Sequence, residues 1–298
     1  MNVLQSINYY QTENTPLIFG ATYMILDPSY FLTMNMGLNE IIQSHGDKLV
    51  TLDPQLDQEK QNEQILAFIK LKVSIIFLNP VNWITVKPAL LAANEAGIPV
   101  FNLDSPVFDE ELVTTIVMSD NYKIGIMVAN AMMERVEEAK IVIIDYPAAK
   151  ATIDRIQGFK DTIQNKPQYE IVIEKSEEGA GFQSKILMEE AIEEQPDFNV
   201  VYGTNDSSAL GAIEALQEAD RIEGTLVFGV DGTPRAKLKI KEGLMTATVA
   251  QSPLEMGMTA AEMGYVYLEG NPVPKIIYTP IYLIDQENIN DYDIISWQ

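Results

Sequence analysis

The chain of 298 residues reads as an α/β protein of two doubly wound parallel-sheet domains, and three observations predict this. Short apolar runs alternate with amphipathic stretches, the strand–helix–strand rhythm of a parallel sheet with helices on both faces. The rhythm passes once through the first part of the chain and then starts again, which suggests two similar halves facing one another. The length, with a hydrophobic content of 47%, is enough to bury two cores.

In order, "LIFGATYMIL" reads as a strand, because continuous Val, Ile and Leu runs mark strands buried on both faces. "YFLTMNMGLNEIIQSH" follows as an amphipathic helix, then "DKLVTL" as a strand and "QEKQNEQILAFIKL" as a helix. "VSIIFL", the helical "NWITVKPALLAANEAG" and the strand "IPVFNL" continue the alternation, and "VTTIVM" ends the first half. The second half repeats it with the helix "NYKIGIMVANAMMERVEE", the strand "KIVIID", the helix "TIDRIQGFKDTIQ" and the strand "YEIVIEK". It closes with the helix "FQSKILMEEAIEE", the strand "FNVVYG", the helix "DSSALGAIEALQEAD" and the strand "TLVFGV". The methionines of "MNM" and "AMM" fall at helical spacing and read as core.

Composition excludes several chemistries. With 43 acids against 20 bases, a net charge of −23, the chain lacks the basic surface that a phosphate backbone needs, so no nucleic-acid partner is expected. No cysteine is present, which removes disulfides, thiolate metal sites and a cysteine nucleophile. The single histidine, His45 in "QSHGDK", suits a helix end and leaves no basis for a histidine-bound metal or triad. Neither G-x-x-x-x-G-K-[ST] nor G-x-S-x-G occurs, so no cofactor and no catalytic residue is expected, and the chemistry reads as binding without turnover. No run approaches the ~18 to 20 apolar residues of a membrane span. The chain therefore reads as a soluble protein, and its excess negative charge favours a monomer.

The informative pattern is at the strand ends, where ligands of open parallel sheets bind. Asn79 follows "IIFL", Asp104 follows "IPVFNL", Asn205 follows "VVYGT" and Asp231 follows "LVFGV". Each is a short planar group suited to the hydroxyls of a polyol. Asp231, ahead of Gly-Thr-Pro, also suits a helix cap, and one acid can fill both roles.

At these residues the chain resembles the type I periplasmic sugar-binding proteins of the ribose-binding group, over roughly residues 17 to 285. The matching stretches are "FLNP", "IPVFNLDS", "MSDNYKIG", "DRIQGF", "NDSSALGAIEALQ", "VFGVDGTP" and "TATVAQSP", specific by their joint order and spacing. The resemblance implies two lobes, residues 1–118 with 252–279 and residues 119–251 with 280–298, joined by a three-segment hinge near Ser119, Gln251 and Thr279. It implies a sugar held between them and presented to a membrane ABC permease or a sensor, in the periplasm or outside the cell, with a lipid anchor as one mode of attachment. Asn79, Asp104, Arg155, Asn205, Asp231 and Gln251 match the family's hydrogen-bonding positions, and Phe31 and Phe182 match aromatics that pack on a sugar face. Arg155 would fork onto neighbouring oxygens; its bland reading is a surface ion pair with Asp154 or Asp161.

Departures bear on the ligand. Relatives of the ribose group carry Arg after the acid matched by Asp104, whereas this chain has Ser105. Met24 and Pro28 stand where small polar groups are expected, and Val230 replaces an aromatic. Hydroxyl contacts should therefore be relocated, which changes the preferred sugar and puts ribose in doubt. Tyr30, Tyr23 and Trp83 are candidates to fill the space, Trp83 also reading as a helix-start packing residue. Three other classes compete: a glycoside hydrolase, for which no carboxylate pair is marked; the effector domain of a LacI-type repressor, for which only about 16 residues precede the first strand where a helix-turn-helix needs more; and a sensor module.

Overall fold

The computed structural model describes residues 15–26, 30–176, 183–194 and 197–297. The first half contains β1 (Ile18–Thr22), α1 (Tyr30–Ser44), β2 (Lys48–Leu52), α2 (Gln58–Leu71), β3 (Ile76–Leu78), α3 (Lys87–Glu95), β4 (Val100–Leu103) and β5 (Thr115–Ser119). The second contains α4 (Asn121–Met133), β6 (Ala139–Asp145), α5 (Lys150–Ile163), β7 (Tyr169–Ser176), α6 (Ser184–Glu194), β8 (Val200–Gly203), α7 (Asp206–Glu218), β9 (Leu226–Asp231), α8 (Pro234–Lys241) and β10 (Ala247–Gln251). Then come α9 (Pro253–Leu268), β11 (Ile276–Thr279) and β12 (Ile281–Asp285).

Alternate side chains of each strand go to opposite faces, and the apolar runs serve both. Phe19, Phe77 and Phe101 enter one cluster with α1 and α9, while Ile76, Leu78 and Val100 enter another with α2 and α3. The first sheet is parallel throughout, in the order β11-β5-β4-β3-β1-β2. The second repeats that plan as β12-β10-β9-β8-β6-β7, with β12 alone antiparallel. In both, the chain winds outward in two directions from the strand pair β1/β3 or β6/β8, and a crevice opens at that switch point.

The chain changes sheet three times: after Ser119, between Gln251 and Pro253, and at Pro280. These crossings touch one another. Ser252 Oγ donates to the Pro280 carbonyl at 3.3 Å, and Thr279 Oγ1 lies 3.5 Å from the Met118 carbonyl.

Three details differ from the sequence reading. β1 stops at Thr22, short of the predicted end of its apolar run, and beyond it the Met24 amide is turned to Asn79 Oδ1 at 3.1 Å. The helix expected from "NWIT" starts only at Lys87, with Pro88 in its first turn. The residues before it form an Asx turn, in which Asn82 Oδ1 accepts from the amides of Ile84 and Thr85, both at 3.0 Å. Met36 is 58% exposed while Met34 is buried, because residues two apart on a helix cannot share a face.

α4 and α5 cross where Gly125 lies on the Arg155 carbonyl and Gly158 on the Tyr122 carbonyl, each too close for a Cβ. This contact fixes the height of Arg155 on the second lobe. Gly158→Ala should therefore force the helices apart and cost about 1–3 kcal/mol, read as a lowered melting temperature.

Candidate functional site

The crevice is bordered by two acids in strained backbone. Asp104, just beyond β4, has φ 63°, and Asp231, the last residue of β9, has φ 123°. A residue with a Cβ is disfavoured there, and such strain concentrates at sites the surroundings over-determine.

Asp104 is buried and held on both oxygens: Oδ1 accepts from the Tyr30 hydroxyl at 2.9 Å and Oδ2 from Asn79 Nδ2 at 3.2 Å. Asn79 Nδ2 also donates to the Leu103 carbonyl at 3.2 Å, and its oxygen accepts from the Met24 amide. Asn79 is thus a holder of Asp104 and of the loop after β1. Met24 enters through that amide, its side chain packing on the first core. Burial pushes the Asp104 carboxyl up to about 6, against the pull of the Arg155 guanidinium and the Tyr30 hydrogen bond.

Arg155 faces it from the other lobe. It is 4% exposed; Nε donates to Asn121 Oδ1 at 2.9 Å and Nη1 to the Thr204 carbonyl at 2.7 Å. Nη1 also lies 3.7 Å from Asp231 Oδ1. The surface ion-pair reading is corrected: Asp154 pairs with Lys150, and Asp161 accepts from Tyr122 and Gln157. The cap reading of Asp231 is corrected as well. Thr233 caps α8, its Oγ1 accepting from the Ala236 amide at 3.1 Å, while Asp231 Oδ1 accepts from Gln251 Nε2 at 2.8 Å. Burial raises the Asp231 carboxyl, with Arg155 opposing.

Asn205 does cap a helix: its Oδ1 accepts from the Ser208 amide at 2.8 Å, which leaves its amide hydrogens as its contribution. Ser105 spans the lobes, Oγ accepting from the Ala151 amide at 3.3 Å. Phe31 packs edge-on to Tyr30, with centroids 5.3 Å apart, and against Tyr23 in the first core. Trp83 packs on Phe108, and His45 stacks on Tyr265 with centroids 3.8 Å apart. Phe182 and Pro28 lie outside the described residues.

Among the described residues, the buried side-chain polar atoms without a hydrogen-bond partner are Ser119 Oγ, Tyr202 Oη and Gln251 Oε1. All three belong to the last two residues of their strands, at the crevice end. Buried polar groups left unpaired are costly, so their concentration here marks where a polar solute would bond. Sequence reasoning missed Tyr202, whose ring stacks on Phe159 at 5.0 Å, and Asn121, which orients Arg155. It also missed Asp145, the last residue of β6, whose carboxyl burial raises. The strand-end rule applied to "KIVIID" would have found Asp145. No described cluster of acids and histidine is arranged to hold a metal ion.

Two α/β lobes with converging polar strand ends define a two-lobe solute-binding architecture. The chain belongs to the periplasmic binding protein family, whose domain model matches residues 22–272. It is 31% identical over 270 residues to the ribose import binding protein RbsB of Bacillus subtilis, covering 90% of this chain and 87% of that protein. The galactofuranose-binding protein YtfQ of Escherichia coli is 29% identical, with 82% and 80% covered. Among solved structures, the arabinose ABC transporter component of Shewanella bound to L-arabinofuranose superposes with a TM-score of 0.85 at 28% identity, covering 92% of this chain and 93% of that one. A Bacillus halodurans solute-binding protein with bound myo-inositol gives 0.85 at 27%, covering 94% and 98%.

The Asp104 carboxyl gives the site a pH dependence. Raised from 3.8 to about 6, it binds its proton more tightly in the fold, so its stabilising effect is full below the unfolded value and is lost as pH rises through about 6. A ligand hydroxyl donating to Asp104 would have the opposite pH dependence, since the ionised form accepts best. Calorimetric affinity for a hydroxylated ligand that bonds Asp104 should fall about tenfold from pH 7 to pH 5, and Asp104→Asn should flatten that slope.

Proposed function

We propose that this chain captures a monosaccharide or related polyol between its lobes, unchanged, and delivers it to a membrane ABC permease. The observation that carries the reading is that Asp104 of one lobe lies within the field of Arg155 and Asp231 of the other, where Gln251 bonds Asp231 and leaves its own buried Oε1 unpaired. Planar acceptors and a guanidinium bind vicinal hydroxyls, and the aromatic rings of Tyr30 and Phe31 offer faces for the apolar side of a sugar. The relatives' names support it: they are ribose, galactofuranose and allose binders. In this reading the first lobe is residues 1–118 with 252–279 and the second 119–251 with 280–298. The crossings near Ser119, Gln251 and Thr279 form the hinge, and the protein works as a monomer outside the cytoplasmic membrane.

Ser105 argues that ribose is not the preferred ligand. Where the ribose group places a guanidinium, this hydroxyl is committed to the Ala151 amide, so the oxygen contacts of a second Arg are missing.

A thermal-shift panel of pentoses, hexoses, deoxy sugars and polyols tests the class, because a ligand that binds only the folded state raises the melting temperature. At least one should register, rank above ribose and be recovered intact; a panel without a shift, or multiple turnovers, defeats the proposal. With the best of them, Asp231→Asn should weaken binding at least thirtyfold, about 2 kcal/mol, since it removes the charge facing Arg155. The melting temperature without sugar should move little, because the amide oxygen still accepts from Gln251.

A further inference from the structure

Beyond β12 the chain follows the second lobe and then leaves it. Ile289 is part of that lobe's core, and Tyr292 and Ile294 pack against it. Lys237 of α8 has no exposed surface; its Nζ donates to the Asp293 carbonyl at 2.5 Å and to the Ser296 carbonyl. An ammonium so buried needs fixed acceptors, and these two carbonyls pin the segment to the second lobe.

The next residue is Trp297, and its contacts are on the other lobe. Its indole packs against the first core and meets the Tyr30 ring edge-on, with centroids 5.3 Å apart and planes at 73°. Tyr30 carries the hydroxyl that bonds Asp104. The second lobe therefore supplies one wall of the ring that orients a first-lobe acid.

We propose that Trp297 is a positioning residue of the sugar site: anchored to the second lobe through Lys237, it packs on Tyr30 when the lobes close and holds that hydroxyl on Asp104. The proposal rests on the sugar-binding reading for its consequence and on the contact itself for its geometry. Trp297 takes hold only in the closed arrangement, so its effect lies in retention of the sugar more than in capture. A tilted aromatic pair contributes modestly, which sets the size of the effect.

The test uses the full chain with Trp297→Ala and Trp297→Phe, titrated with D-ribose, D-allose, L-arabinose and myo-inositol. For any probe that binds the unaltered protein, Trp297→Ala should weaken affinity about threefold to tenfold, through faster dissociation with little change in association. Trp297→Phe should restore both to within about twofold, which general destabilisation would not. Unchanged affinity and dissociation in Trp297→Ala overturns the proposal. Because the chain has no cysteine, Tyr30→Cys with Trp297→Cys gives a second arm that needs no sugar. Maleimide addition is irreversible, so a short bismaleimide should collect even transiently closed molecules and join the two positions within one molecule. Absence of that cross-link after exhaustive reaction overturns the proposal whatever the titrations give. If no probe binds the unaltered protein, the sugar reading fails, and the cross-link still decides whether Trp297 joins the lobes.

Discussion

The organisation of the cleft depends on keeping one guanidinium, Arg155, in a place with almost no water. At 4% exposure its charge has to be met by fixed dipoles and by carboxylates, and both are supplied from different parts of the chain. Asn121 comes from the start of α4 and the Thr204 carbonyl from the end of β8, and together they fix the plane of the fork. Asp231 sits at ion-pair distance on the same lobe, and Asp104 lies near enough on the other for Arg155 to oppose the rise that burial imposes on its carboxyl. The helix contact at Gly125 and Gly158 sets the backbone from which Arg155 extends. Moving any of these takes a partner from a buried charge.

The two lobes solve the same packing problem in the same way. In the first, α1 and α9 approach with Gly37 on the Leu254 carbonyl and Gly257 on the Met34 carbonyl, as α4 and α5 do at Gly125 and Gly158. The difference is in connectivity. α4 and α5 are successive helices of the chain, whereas α9 returns to α1 after five of the six strands of the second sheet have been laid down. That return is what requires more than one crossing, and the crossings are bonded to one another at Ser252–Pro280 and Thr279–Met118.

The alternation of apolar runs read the fold, and the strand-end rule picked out Asp104 and Asp231, whose carboxyls both lie in the field of Arg155, because a parallel sheet places its polar residues where apolar runs stop. It could not rank those residues. Asn79 and Asp104 look alike in sequence, yet Asn79 is used up on Asp104, Leu103 and Met24, a distinction made by the loop after β1. Arg155 was visible only through the family resemblance, since "TIDRIQGF" gives no sign that its helix face is covered. The cap question at Asp231 turned on a residue two places on: Thr233 and Pro234 start α8 without it. Tyr202 lies within an apolar strand and Trp297 meets a ring 267 positions earlier in the chain, so neither carries a local signal.

The cleft is held at a cost to the fold. Asp104 and Asp231 occupy positive φ, burial raises both carboxyls, and Gln251 Oε1, Tyr202 Oη and Ser119 Oγ have no bond within the protein. A buried unsatisfied polar atom costs about 1–3 kcal/mol, and backbone strain adds a comparable amount per residue. These costs fall on one face of each lobe and are absent from the aliphatic cores behind it, so they offset stability where hydroxyl donors and acceptors have most to restore. A polyol that pairs these atoms would recover the unpaired part of that cost, and within each lobe the acids and the guanidinium are already oriented for it. The same preorganisation would make the site selective: a solute missing one hydroxyl would leave its partner as unsatisfied as before, with water now excluded from it.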